Sequence, residues 1–247
     1  MKILFLDTEN APCYGCFWGI HDQNIKYADV EQDWFLLSAQ WSWNDEKKVH
    51  TISVLDDPKQ FVDDHYKADK IVVKKIAELM AEADVVVGHN FKGHDLKKIK
   101  AKIAEHRLPA LDIPDIVDTY QWSREFGFTS RKLGDLCKKL ELTQKLGHVP
   151  GVFKLAGRGD VKAIREIIRY GKGDIPTLRE LYEALRPYAK NAPNQNKFKK
   201  YPCCPRCASV KLQKRGIRNG VQRHSCFSCG ASFSETLNKK KITVRYK

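Results

Sequence analysis

The sequence predicts an α/β protein, a mixed sheet of five strands flanked by helices, with a small cysteine-rich module behind it. Three observations predict it. Short apolar runs rich in β-branched and aromatic residues come first as a cluster, and they then alternate with segments of helical periodicity. Two Cys-x-x-Cys pairs stand close together near the C-terminus. The basic residues are concentrated around those pairs, in a chain of 247 residues with formal net charge +14.

The first strand is KILFLD, an apolar run that ends in the carboxylates Asp7 and Glu9. Those two charges also interrupt the N-terminal apolar run before a secretory signal could form, and no other run is apolar enough to span a bilayer. A cytoplasmic location is therefore expected. Further strands are expected near CFWGI, FLLSAQWSW and VHTISVL. A helix follows over about 70–83, where Ile71, Ile76, Leu79 and Met80 recur at helical spacing. DVVVGHN reads as a buried strand because its apolar residues stop at Gly-His-Asn. A helix over Asp95–Glu105 and a short strand in DIPDIVDT come next. Thr119 to Tyr188 is helical with Gly and Pro breaks. This order places Asp7, Glu9 and Asp95 at or just past the carboxyl ends of strands, where open α/β sheets hold their ligands.

Composition narrows the class. Hydrophobic residues at 42% and charged residues at 30% exclude collagenous, coiled-coil and disordered chains. From Lys190 onward there are fifteen lysines and arginines against a single acidic residue, Glu235, so the whole net charge lies there. Residues 1–189 carry 29 basic and 29 acidic groups. The expected organisation is a charge-balanced domain over 1–189, a basic linker over 190–201, a metal-stapled module over 202–235 and a basic tail over 236–247. A concentrated positive segment attracts phosphate backbones through counterion release.

Cys204-Pro-Arg-Cys207 and Cys226-Phe-Ser-Cys229 are separated by 18 residues. That is the spacing at which two tight turns each present two thiolates to one tetrahedral Zn²⁺. Between them Asn219-Gly220 is a two-residue hairpin signal, because both central positions need positive φ. A segment this short buries too little apolar surface to fold alone, so one structural Zn²⁺ would supply much of its folding free energy. Disulfides are the competing reading, and the odd Cys203 beside the first pair argues against them. Cys203 competes with Cys204 as ligand, and the matching knuckle spacing favours Cys204. The segment resembles zinc ribbons of transposases and phage proteins. That resemblance implies nucleic-acid contact by Lys211, Lys214, Arg215, Arg218 and Arg223, with Lys239 to Lys241 behind them. Cys13-Tyr-Gly-Cys16 has no partner pair nearby, and Cys137 reads as core.

Period-two alternation puts Asp7 and Glu9 on one face of the first strand, and two such carboxylates repel unless a cation binds between them. Asn90 and Asp95 follow a buried strand in GHNFKGHDLKKI. Tyr170 and Asp174, in RYGKGDIPTLRELY, are spaced to share a helix face. With these segments the chain resembles the DEDD exonucleases, the DnaQ-like branch of the ribonuclease H-like superfamily: DTE corresponds to the first motif, Asp95 to the second, and Tyr170 with Asp174 to the YxxxD motif of the tyrosine subclass. WGIHDQNIKYADVEQDWFLLSAQWSWNDEKKV, LGDLCKKLEL and GDVKAIREIIRYGKGD look like a phage-associated set that often ends in a zinc ribbon.

The resemblance implies a ribonuclease H-like fold and a 3′–5′ exonuclease that uses two Mg²⁺ or Mn²⁺ ions. Its metal ligands would be Asp7, Glu9, Asp95 and Asp174, with Tyr170 orienting the attacking water and Asn90 contacting nucleic acid. The substrate expected is single-stranded DNA, with RNA as the second choice. An RNase or structure-specific endonuclease on the same site, and a catalytically silent nucleic-acid-binding adaptor, are the competing readings. Two departures stand out. His94 replaces the usual Phe before the aspartate, and Gly171, Gly173 and Pro176 would make Tyr170 and Asp174 straddle a helix break. Asp118 is a further carboxylate at a strand end, expected to be structural or to stand behind the ligands.

Overall fold

A computed structural model describes the chain except residues 18, 20, 22–23, 145–146, 148–149, 190, 195–201, 237–244 and 247, with backbone alone for 245–246. It divides into two compact units, Lys2–Glu180 and Leu181–Lys247. Most of the expected linker and tail, including Lys239 to Lys241, lies outside the described residues.

The elements, in chain order, are β1 (Ile3–Asn10), β2 (Tyr14–Gly15), β3 (Val30–Gln32), β4 (Leu36–Trp43), β5 (His50–Ser53), α1 (Pro58–Asp63), α2 (Asp69–Glu82), β6 (Val85–Gly88), α3 (Asp95–Glu105) and β7 (Asp115–Asp118). There follow α4 (Thr119–Ser123), α5 (Leu133–Lys139), α6 (Val152–Gly157), α7 (Val161–Leu185), β8 (Leu212–Arg218), β9 (Val221–Cys226), β10 (Ser232–Thr236) and β11 (Arg245–Tyr246).

The first unit is built on a mixed sheet of five strands in the order β5-β4-β1-β6-β7. β6 pairs parallel with β1 and β7, and β4 alone is reversed, pairing antiparallel with both β1 and β5. Hairpin-style neighbours explain β1, β4 and β5, while the parallel strands need the crossover helices α2 and α3. Leu4 and Leu6 of β1 pack in one buried cluster with Val72, Ile76 and Met80 of α2 and Ile99 of α3. At about 25 cal/mol per Å², burial of such side chains is the main force holding α2 and α3 to the sheet. α2 starts on buried Asp69, which accepts hydrogen bonds from the Leu36 backbone N–H (3.2 Å) and shares a 2.6 Å contact with His106 Nε2.

Two local expectations change. Of the strand expected near CFWGI, residues 18 and 20 lie outside the described residues, and the strand found beside it is the two-residue β2, paired with β3 in a separate ribbon. The helix break expected at Gly171, Gly173 and Pro176 does not occur: α7 runs unbroken through Pro176. Its inward face, with Ile164, Ile167, Ile175 and Leu178 buried, holds the helix despite the amide hydrogen bond that a proline removes.

In the second unit β8 to β11 form one sheet in the order β11-β10-β9-β8, with Asn219 (φ 50°) and Gly220 (φ 70°) at the hairpin turn as the dipeptide predicts. Arg245–Tyr246, expected as tail, supplies the edge strand. No helix among the described residues is long and apolar enough to cross a membrane.

Candidate active site and metal centres

β1 pairs with β6 only from Ile3 to Phe5. Beyond Phe5 it runs on alone on that side, so Asp7 and Glu9 project where the parallel strands β6 and β7 have ended. Alternation along β1 then decides what meets them. Odd-numbered residues face α7: the Arg179 guanidinium lies 4.9 Å from the Phe5 ring, and Gln40, opposite Asp7 on β4, meets Gly171. A Cβ at Gly171 would lie 2.6 Å from Gln40 Oε1, so only glycine lets α7 come this close. One turn further along α7 stands Asp174. Carboxylate oxygens of Asp7, Glu9 and Asp174 all lie within 4.8 Å of one another, with Glu9 and Asp174 buried.

Even-numbered residues of β1 face α3. Thr8 Oγ1 donates to Asp95 Oδ1 at 2.5 Å, and Asp95 is itself buried at the start of α3. The four sequence-predicted carboxylates therefore reach the end of β1 from both faces of the sheet: three are grouped, and Asp95 stands beside them on Thr8. His94 Nδ1 is 3.8 Å from Asp95 Oδ2. One turn on, Lys98 lies 4.6 Å from the Trp34 ring, and burial lowers the pKa of its ammonium.

The turn between β6 and α3 is held from β7. Asp118 accepts hydrogen bonds from the backbone N–H groups of Asn90 (2.8 Å), Lys92 (3.0 Å) and Tyr120 (3.1 Å). It is a structural carboxylate that fixes Asn90, at φ 59°, in place. His89 bridges Thr119 Oγ1 and the Arg131 carbonyl, both at 2.9 Å. The resulting cleft of about 580 Å³ is lined by Asp7, Thr8, Glu9, Asn90, Asp95, Tyr120, Phe153, Tyr170 and Asp174, with Lys132 to Asp135 on its rim. Tyr170 is half-buried one helical turn before Asp174.

Three carboxylates this close repel by roughly 3 kcal/mol per pair at an effective dielectric of about 20. Burial adds to the cost, and a divalent cation removes both terms. The acidic group suits such an ion. Sequence reasoning missed Thr8 as a partner of Asp95. The signal lies in DTE itself, since alternation sends the middle residue to the opposite face from its neighbours.

In the second unit Cys204, Cys207, Cys226 and Cys229 form one group with all sulfurs within 4.8 Å. Cys204 Sγ is 3.7 Å from Cys229 Sγ, and Cys207 Sγ is 3.5 Å from Cys226 Sγ. A tetrahedron with Zn–S bonds of about 2.3 Å has edges of roughly 3.8 Å, whereas a disulfide needs about 2.05 Å. The donor set fits a structural zinc. Cys203 is buried outside the group. Burial raises the thiol pKa of Cys226, but the backbone N–H groups of Cys229 and Ser228, together with hydrogen bonds to the Cys207 and Cys229 thiols, bring it down to about 7. The module's core consists of Cys204, Cys226, Ala231 and Phe233 with Leu212 and the remaining two cysteines against it.

Of the predicted basic residues, Lys211, Lys214, Arg215, Arg218 and Arg223 are all exposed in this module. Cys13 and Cys16 are exposed, with Cys13 Sγ 3.4 Å from Asp33 Oδ1 and Cys16 Sγ 2.8 Å from Glu31 Oε1.

Residues 42–186 match the family described as the RNase_H superfamily. The match includes Asp95, Tyr170 and Asp174 and begins after Asp7 and Glu9. No curated protein matches the chain. Among solved structures, the family B DNA polymerase from the hyperthermophilic archaeon Pyrobaculum calidifontis is similar, with a TM-score of 0.54 at 15% identity, over 75% of this chain and 24% of the polymerase. The likeness is one of fold, and this chain spans about a quarter of the polymerase's length. The superfamily's fold implies a nucleic-acid substrate, and with the family match covering more than half of its residues, the chain belongs to the RNase H superfamily.

Proposed function

We propose that the chain is a metal-dependent 3′–5′ exonuclease of the DEDD type, tyrosine subclass, acting in the cytoplasm on single-stranded DNA in preference to RNA. The observation that carries this reading is the group formed by Asp7, Glu9 and Asp174 within 4.8 Å, at the strand-end position where α/β sheets bind ligands.

Two divalent ions, Mg²⁺ or Mn²⁺, would supply a hydroxide nucleophile and stabilise charge on the leaving oxygen. Asp7 would be among the residues that hold them. Glu9 and Asp174 complete the carboxylate set on the α7 side, and Asp95, fixed by Thr8, serves from the α3 side. Tyr170 orients the attacking water by hydrogen bonding, since an unperturbed phenol with a pKa near about 10 is a poor base. Asn90 and the lysine-bearing rim at Lys132 receive the strand. The module over 202–235, held by one Zn²⁺ on Cys204, Cys207, Cys226 and Cys229, adds affinity for the substrate through Lys211, Lys214, Arg215, Arg218 and Arg223.

The test uses single-stranded DNA and RNA labelled at either end, incubated with Mg²⁺ or Mn²⁺ and wild-type or Asp7→Ala protein. A stepwise ladder from the 3′ end that disappears in the variant is expected. Internal cuts would replace this reading with an endonuclease, and absence of cutting on every substrate with an adaptor.

A further inference from the structure

Strand pairing sorts the side chains of the zinc-ribbon module onto two sides. In an antiparallel pair, opposed residues share a side and successive residues alternate. Leu212 opposite Cys226, Lys214 opposite His224 and Ile217 opposite Gln222 take one side. That side holds the core, where Leu212 and Cys226 pack with Phe233 and His224 stacks on the same ring at 5.0 Å.

Gln213 opposite Ser225 and Arg218 opposite Val221 take the other side. Arg215, in the bulge that faces Arg223, joins them, as its Nε–H donates to Ser225 Oγ at 3.0 Å. The Phe227 N–H donates to the Lys211 carbonyl at 3.0 Å, which carries the pairing one step past both strands. Phe227 and Lys211 therefore also fall on this second side. β10 adds Ser232 and Ser234, opposite Ser225 and Arg223. The one acidic residue beyond 190, Glu235, pairs opposite Gln222 on the core side and lies 3.5 Å from His224.

The second side thus carries four cationic groups, no carboxylate among the described residues, and a phenyl ring at one end that is 70% exposed. Core packing does not account for Phe227. It sits in a knuckle turn outside the buried cluster, next to Lys211, where an aromatic face and a positive charge are offered together. From Phe227 to Val221 the surface runs roughly 20 Å at about 3.4 Å per residue, enough for several phosphates.

We propose that this side of the sheet binds single-stranded nucleic acid, Lys211, Arg215, Arg218 and Arg223 contacting phosphates and the Phe227 ring stacking on an unpaired base. In a duplex the base faces are already stacked, so the ring discriminates in favour of single strands, while the cations serve either form. The inference rests on the reading that the chain acts on nucleic acid.

The test measures binding by the full chain carrying Asp7→Ala, so that the ligand persists. Fluorescence anisotropy is recorded at several salt concentrations with a labelled oligothymidylate, an oligouridylate and a duplex of equal length. On this background Phe227→Ala is expected to weaken both single strands about tenfold, in the range of one base–aromatic stack. Its salt slope and its duplex affinity stay unchanged. Phe227→Trp retains affinity, and Phe227→Leu behaves as the alanine variant. Arg223→Gln flattens the single-strand salt slope by about 0.7. Equal zinc content across the variants establishes that each module is folded.

Unchanged binding by Phe227→Ala, rescue by Phe227→Leu, or an equal loss on the duplex would each overturn the proposal. A protein that cuts nothing with Asp7 intact yet shows this binding pattern would defeat the exonuclease reading and leave the surface standing. A protein that cuts, but whose Phe227→Ala variant binds normally, would do the reverse.

Discussion

Replacing Gly171 by alanine sets two opposite effects against each other at one atom. Within a helix, Gly→Ala ordinarily stabilises by about 1 kcal/mol, because alanine loses less backbone entropy. Here the added Cβ would meet Gln40 at 2.6 Å from Oε1 and 2.7 Å from Cδ. Gln40 is fully buried and its Nε2 donates to Ser38 Oγ at 2.8 Å, so the side chain does not swing aside freely. Overpacking of this kind costs about 1–3 kcal/mol and shifts backbone. Set against the propensity gain, this leaves Gly171→Ala with an expected net destabilisation of up to about 2 kcal/mol in urea unfolding. It should also cut divalent-metal-dependent hydrolysis by at least about tenfold, because a helix pushed outward carries Asp174 away from Asp7 and Glu9, and a displacement near 1 Å at a reacting site costs about a hundredfold. Truncating the obstacle tests the cause: in a Gln40→Ala background the same substitution should recover the helix-propensity gain. If Gly171→Ala alone proves stabilising and leaves hydrolysis intact, the close approach of α7 to β4 does not position the acidic group.

The acidic group should be a source of instability when no cation is bound. In buffer whose only divalent ion is the one zinc equivalent held by the four cysteines, Asp174→Asn is expected to raise stability by about 1–3 kcal/mol by relieving repulsion, and thermal shifts should show it losing the wild type's further stabilisation by Mn²⁺. Cys204→Ser should lose zinc and unfold the module, whereas Cys203→Ser should keep one zinc per chain, as metal analysis and circular dichroism would show. A pH series addresses Asp69, whose carboxyl burial holds above its ordinary 3.8 despite Lys102, His106 and the Leu36 N–H. A raised folded-state pKa means that the native state holds the proton more tightly, so this group's contribution is complete below pH 3.8 and is lost as pH rises through the folded value. Subtracting the unfolding free energy of Asp69→Asn from that of the wild type should therefore give a difference that falls with rising pH in that window; a flat difference would contradict the burial effect.

How much of this was legible in the sequence depended on the range of the interaction. The zinc knuckles and the Asn219-Gly220 hairpin are set by residues a few positions apart, and spacing alone located them. The strand end at Gly88 was visible because its apolar run stops there, whereas β1, whose apolar run stops at Asp7, continues to Asn10 because β4 goes on pairing with it. The course of α7 was not: Gly171, Gly173 and Pro176 are helix breakers by propensity, yet tertiary burial on the inward face overrides them, and Gly171 serves a contact with Gln40, 131 positions away in the chain. Thr8 was equally hidden, since its partner Asp95 is identified by the fold and not by its neighbours. β11 was missed because two residues in a basic tail carry no strand pattern of their own.

The two candidate metal sites make opposite demands on the polypeptide around them. In the ribbon the buried cluster is largely cysteine, so hydrophobic burial is too small to fix the β8–β10 sheet, and metal–thiolate bonds would take over its work. In the cleft the surrounding core is large, and it holds Asp7, Glu9 and Asp174 within 4.8 Å against roughly 3 kcal/mol of repulsion for each pair. A large core can sustain that strain, which a ribbon could not. That repulsion is the term a small, doubly charged ion would relieve. Thr8 and Gly171 mark how the strain is kept: one fixes Asp95 from the α3 side and the other admits α7, so that the end of β1 is gripped from both faces of the sheet. Loss of either grip, by Thr8→Val or Gly171→Ala, should therefore shrink the rise in melting temperature that Mn²⁺ produces.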